Sequence, residues 1–182
     1  MRNVFLMLPL TLMLAVPAHA DSVQGYCERD GKRISFSDGI AFVDARDAAG
    51  VVTTTIYLTA KALDRKALAA CAACAEAPGE NTFMSSRGDE IEGQRAAVAD
   101  GWIELQHVGG ELDMTSIVNI MYLSSDGVLT GLDGGNGQVV IGTNNPTRIA
   151  GKVTSEAREA PFNETDMKCE ASFDLAVGWP KR

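Results

Sequence analysis

The sequence predicts a mainly β fold, an antiparallel two-layer β-sandwich or an open barrel with one short α-helix. Three observations carry this. Apolar residues recur at every second position in run after run, the period of a half-buried strand. Clusters of Gly, Asn and Asp separate the runs at strand-and-turn intervals. One alanine-rich stretch, Asp64 to Ala77, has the composition of a helix.

The chain has 182 residues, and its first twenty stand apart from that pattern. Arg2 supplies a short positive region, Val4 to Val16 is almost unbroken apolar, and Ala18-His19-Ala20 is a small-x-small cleavage site. This is the layout of a secretory signal peptide cut after Ala20. Its apolar run is short for a membrane span of about 20 residues. No cysteine follows the cut, so a lipid anchor is not expected. Residues 21–182 suit a single domain with its own core, and no later stretch is apolar and long enough to span a membrane. The expectation is an exported protein, periplasmic in a cell with two membranes.

The elements follow in order. In Lys32 to Asp38, Ile34 and Phe36 share one face while Arg33, Ser35 and Ser37 share the other. Asp38-Gly39 reads as a hairpin turn. Ile40 and Phe42 mark the next strand, and the β-branched run Val51 to Thr59 marks a third. Together these three read as a meander. The helix comes next: Asp64 is its expected N-cap, Leu63 and Leu68 its hydrophobic staple, and Pro78-Gly79 its stop. Ala67, Leu68, Cys71, Ala72 and Ala75 fall on one stripe, so Cys71 is expected to face inward.

Asn81 to Gly101 is ambiguous, with a short strand near Thr82 to Met84 and a helical turn near Gln94 to Ala99. Strands resume at Trp102 to Val108, where Ile103 and Leu105 alternate with Trp102, Glu104 and Gln106. Met114 to Ser125 is apolar on both faces, as in a strand covered on both sides. Val139 to Thr143 and Arg148 to Thr154 are joined by Asn144-Asn145-Pro146, which is turn chemistry. In the last strand Cys169, Ala171, Phe173, Leu175 and Val177 point one way; Lys168, Glu170, Ser172 and Asp174 point the other. Eight or nine strands and one helix result.

Four cysteines in an exported chain imply two disulfides in one of three connectivities. The favoured pairing joins Cys27 to Cys169, first strand to last, and Cys71 to Cys74 at the helix end. The long loop would contribute about 4–5 kcal/mol through chain entropy, and the short one much less. An i,i+3 disulfide must fray a helix, so pairing of Cys27 with Cys71 or Cys74 stays open. A redox role for Cys71 and Cys74 is weakened by their place at the helix C-terminus, where the macrodipole opposes a thiolate. Zinc would need two more ligands at recognisable spacing. Cys27, Cys169 and His107 do not supply them, so no metal and no cofactor is expected.

The other chemistry-bearing residues are weaker. His107 sits on the strand face of Ile103 and Leu105, with no nucleophile elbow anywhere in the chain. Asp89, Glu90 and Glu92, and Glu156 with Glu159, stand in polar stretches and read as solvated faces. Asp126, Asp133 and Asn136 are oxygen donors in a glycine-rich loop, Ser124 to Gln138. They fit a hairpin loop or flexible contact loop better than the Ca²⁺ spacings of the common loop motifs. Asn163-Glu164-Thr165 matches the glycosylation acceptor pattern.

Lys and Arg number 16 against 24 Asp and Glu, a net charge of −8, and loss of Arg2 makes it one unit more negative. Such a surface repels phosphate backbones and anionic membranes, so nucleic acid is a poor partner. The expected function is therefore non-enzymatic: an exported binding protein whose partner is another exported protein, in its most specific form an inhibitor-like or immunity-like one. Loops within Gly79 to Gly101 and Asp126 to Gly137 are the expected contacts. The alternatives are a thiol–disulfide protein using Cys71 and Cys74 and a small hydrolase using His107 with nearby carboxylates.

Overall fold

The computed structural model describes residues 20–29, 31–46, 48–75, 86–109, 117–123, 129–133, 137–155 and 167–181. Among these residues ten strands form two antiparallel five-stranded sheets. The first contains β1 (Ser22–Arg29), β2 (Lys32–Ser35), β8 (Gly137–Asn145), β9 (Arg148–Ser155) and β10 (Met167–Ala176), in the order β2-β1-β10-β9-β8. The second is the meander β3 (Asp38–Arg46), β4 (Val52–Thr59), β5 (Trp102–Val108), β6 (Ile117–Leu123) and β7 (Leu129–Asp133). Neither sheet closes into a barrel. The fold is mainly β and sandwich-like.

The alternation read in the sequence sorts side chains to the faces. Ile34, Phe36, Ile56, Leu58, Ile103 and Leu105 meet Cys169, Ala171, Phe173 and Leu175 in the core between the sheets. The second sheet is also covered on its other face. There Ile40, Phe42, Tyr57 and Trp102 pack beneath Leu63, Leu68, Ile91 and Val98 from the helical segments. This double coverage explains why every residue of β4 from Thr53 to Thr59 is buried.

The Asp38-Gly39 expectation is corrected. β2 pairs with β1 rather than β3, and the chain changes sheets between them. The Phe36 N–H donates to Gly25 O at 2.9 Å in one sheet, and the next N–H, of Ser37, donates to Thr59 O at 3.0 Å in the other. Gly39 serves a close approach instead of a turn. A Cβ there would lie 2.8 Å from the Tyr57 carbonyl and 2.9 Å from Val23 Cγ2. At the same corner the Gly178 N–H donates to Ala41 O at 2.8 Å, stitching the end of the last strand to β3. The Asp38 carboxylate accepts from the N–H of Gly39 at 2.8 Å, the N–H of Leu63 at 2.7 Å and the Arg65 guanidinium at 2.7 Å.

The helical content is also redistributed. α1 spans only Arg65–Ala70, and a 3-10 turn follows at Ala73–Ala75. α2 (Ser86–Gly93) and α3 (Arg95–Val98) fill much of the stretch left ambiguous above. β7 was hidden by Gly131, because glycine dilutes a strand's pattern. The expected strand at Thr82 to Met84 lies outside the described residues.

Candidate functional site

The helix that leads into the Cys-x-x-Cys pair begins as its sequence dictates. The Asp64 side chain accepts from the N–H groups of Lys66 and Ala67 at 2.9 and 3.0 Å, satisfying two of the helix's orphan donors. The side chain of Gln94, the N-cap of α3, then locks Asp64: its Oε1 accepts the Asp64 N–H at 2.7 Å and its Nε2 donates to Asp64 O at 3.2 Å. α1 stops at Ala70. Cys71 turns extended, with φ −63° and ψ 108°, and its N–H donates to Leu68 O at 3.2 Å. Cys71 is joined to Cys74, and Cys27 to its register partner Cys169.

The inward placement of Cys71 is therefore corrected. Once the helix ends, the stripe of period 3.6 no longer governs residue 71. Cys74 is the buried member, 1% exposed, and Cys71 is half-buried. Cys71 lines a shallow groove of about 570 Å³ together with Cys74, Ala69, Ala72, Arg87, Trp179 and Lys181. Arg87 donates from Nε to Cys74 O at 2.9 Å and from its guanidinium to Val43 O. Its guanidinium carbon stands 5.7 Å from the Phe42 ring and 5.6 Å from the Trp179 ring. Burial pulls its pKa down, against the upward pull of Asp44.

A second constellation occupies the helix-covered face of the β3–β7 sheet. Asp44 accepts from Thr55 Oγ1 at 3.2 Å. The Tyr57 hydroxyl donates to Glu92 Oε1 of α2 at 3.5 Å, and Gln106 Nε2 donates to Glu104 Oε1 at 3.1 Å. Burial, chiefly, pushes the Glu92 and Glu104 carboxyls up, and proximity to other acids adds to it. Burial and the three neighbouring carboxylates push the Tyr57 phenol far up. Reading Glu92 as part of a solvated face is corrected: α2 went unrecognised, so its buried side could not be assigned. Asp89 is exposed, and Glu156 and Glu159 lie outside the described residues.

His107 is 1% exposed and pairs in register with Thr54. It shares its strand face with Ile103 and Leu105, between the sheets, and burial lowers its pKa. Asp44, Glu92 and Glu104 converge on the opposite face of the same sheet, so the sheet separates the imidazole from them. Asp133 ends β7 and pairs with Asn119. Asp126 and Asn136 lie outside the described residues, as does Asn163. Of the two expected contact segments, the described part of Gly79 to Gly101, residues 86–101, is mostly α2 and α3 packed on the sheet, and Asp126 to Gly137 contains strand β7 rather than one continuous loop.

A third feature lies where the strands end. The turn between β3 and β4, the turn between β8 and β9, Gly109 after β5 and Val177 after β10 surround a groove of about 580 Å³. Val43, Val51, Val52 and Pro146 make its lining partly apolar, and Val51 is 40% exposed. The Asn145 side chain shapes one wall, accepting the N–H groups of Thr147 and Arg148 at 3.0 and 2.9 Å. Asn144 Nδ2 donates to Gly109 O at 3.1 Å, tying the two sheets' ends together. No local sequence pattern announces this groove, because its residues come from four separate connections.

No protein-family model, no curated protein and no solved structure matches the chain.

Proposed function

We propose that the protein is exported, acts in the periplasm, and works by binding another exported protein without chemical turnover, as an inhibitor-like or immunity-like partner. The groove at the strand ends carries this reading. Loops gathered at one end of a two-sheet frame are a common way to present a recognition surface, and here that end offers an exposed valine beside turn residues. The Cys27–Cys169 bridge supports it by holding β1 against β10. So does the leader-like N-terminal segment, and no helix among the described residues is long and apolar enough to cross a membrane.

The test is photo-crosslinking in the native compartment from a probe at residue 51, compared with one at Ser35 on the outer face of the other sheet. A discrete protein adduct from residue 51 alone, lost when Pro146→Asp is added, is the expected result. Adducts of equal yield from both positions, or none from residue 51, would overturn the proposal.

A further inference from the structure

We infer that the Cys71–Cys74 disulfide is a thiol-exchange site for small anionic thiols, attacked at Cys71, whereas Cys27–Cys169 is a permanent bridge. This goes beyond the binding reading and does not depend on it. Four observations converge. The two bridges differ in access: Cys27 and Cys169 are 2% and 1% exposed, while Cys71 opens on a groove of about 570 Å³. Within the pair, both cysteines line the groove, but Cys74 is 1% exposed and Cys71 half-buried, so Cys71 is the more open target. The groove is cationic in an acidic protein: Arg87 and Lys181 line it, in a chain of net charge −8. Finally, Cys27–Cys169 ties the paired strands β1 and β10 together across a sequence separation of 142, whereas Cys71–Cys74 closes a separation of 3 beyond the helix end, so its opening unlinks no strand pair.

The local geometry also receives the charge that the second step of exchange places on Cys71. The Cys74 N–H donates to Cys71 Sγ at 3.1 Å. That donor, with the two cations, offsets the carbonyl end of α1, which opposes a thiolate at residue 71. In the first step the external thiolate attacks Cys71 Sγ. A bond forms between the external sulfur and Cys71, the Cys71–Cys74 bond breaks, and its electron pair leaves on Cys74 Sγ, which takes a proton from water. A second external thiolate then attacks the external sulfur of the mixed disulfide. Cys71 leaves as the thiolate and is protonated, and the two external thiols end as their own disulfide. Two electrons have passed from the thiols to the cysteine pair.

The experiment uses the full native protein with glutathione, an anionic thiol, or cysteamine, a cationic one, followed by alkylation and peptide mapping. Three results are expected. Cys71–Cys74 opens at least about tenfold faster than Cys27–Cys169. The mixed disulfide, trapped by acid quench, carries glutathione on Cys71 and leaves Cys74 free to be alkylated. Lys181→Glu slows glutathione and speeds cysteamine. The proposal is overturned if the adduct maps to Cys74, if both bridges open together, or if Cys71–Cys74 stays closed in native protein while opening in urea. Equal rates for the two thiols, unchanged by Lys181→Glu, would overturn the selectivity for anionic thiols.

Discussion

The indole N–H of Trp179 donates to the carbonyl of Leu68 at 3.0 Å, tying the segment after the last strand to the end of the first helix. The same carbonyl accepts the Cys71 N–H, and the Trp179 ring stands edge-on to Phe42 with centroids 5.2 Å apart. Trp179→Phe keeps the ring contact and leaves the Leu68 carbonyl one partner, so it should cost about 1 kcal/mol. Trp179→Ala also removes the ring pair and the contact with Arg87, and should cost about 2–3 kcal/mol. Urea midpoints at unchanged slope would measure both; equal midpoints for the two variants would refute the division.

The acid cluster on the other side of the sheet makes stability depend on pH in a stated direction. Glu92 and Glu104 have folded-state pKa values above the ordinary carboxylate value, through burial. Their contribution is therefore fully present below that ordinary value and is lost as pH rises through the folded values. Glu104→Gln should flatten this decline and raise the melting temperature at neutral pH. If its stability-versus-pH curve parallels that of the parent protein, the cluster is not desolvated as the structure shows.

His107 works with the opposite sign. Its folded-state pKa is lowered by burial. The unfolded chain therefore takes up a proton first as pH falls below the ordinary histidine value, and stability is lost from there down through the folded value. His107→Gln should remove that acid-side slope while leaving the carboxylate-driven decline intact. Difference curves between the two variants separate the two groups.

Asp38 replaces the hairpin expected at that position with a polar joint. Its carboxylate receives two backbone N–H groups and the Arg65 guanidinium. Asp38→Asn turns one acceptor into a donor facing another donor, and should cost about 2–3 kcal/mol. The partly exposed ion pair with Arg65 contributes little of this. Arg65→Gln should therefore cost about 1 kcal/mol or less, and a larger loss there than at Asp38 would reverse the assignment.

Removing the long bridge with Cys27→Ala and Cys169→Ala together should cost about 2–5 kcal/mol, and removing the short one with Cys71→Ala and Cys74→Ala less than about 2 kcal/mol. Calorimetry on the two double variants decides it. The expectation rests on loop length: a cross-link between β1 and β10 restricts nearly the whole unfolded chain, and one across four residues restricts very little.

Much of this molecule is written in short-range pattern. Alternation set the faces of Ile34 and Phe36, of Ile103 and Leu105, and of Cys169 to Leu175, because a strand's side chains must alternate and only one face is apolar. Asp64 announced the start of α1, because few residues can satisfy an orphan N–H. What tertiary structure decided were the features made by residues distant in sequence. Asp38-Gly39 has turn composition, yet the chain switches sheets there, because Gly39 alone leaves room for the Tyr57 carbonyl and Val23. Cys71 has a helical phase with Leu68, yet it opens on a groove, because the helix ends one residue earlier. Glu92 stands in a polar run, yet it meets Tyr57, because α2 packs across β4. Local sequence determines which conformations are cheap for each segment. Which face is finally covered, and by what, depends on the packing of segments that the sequence places far apart.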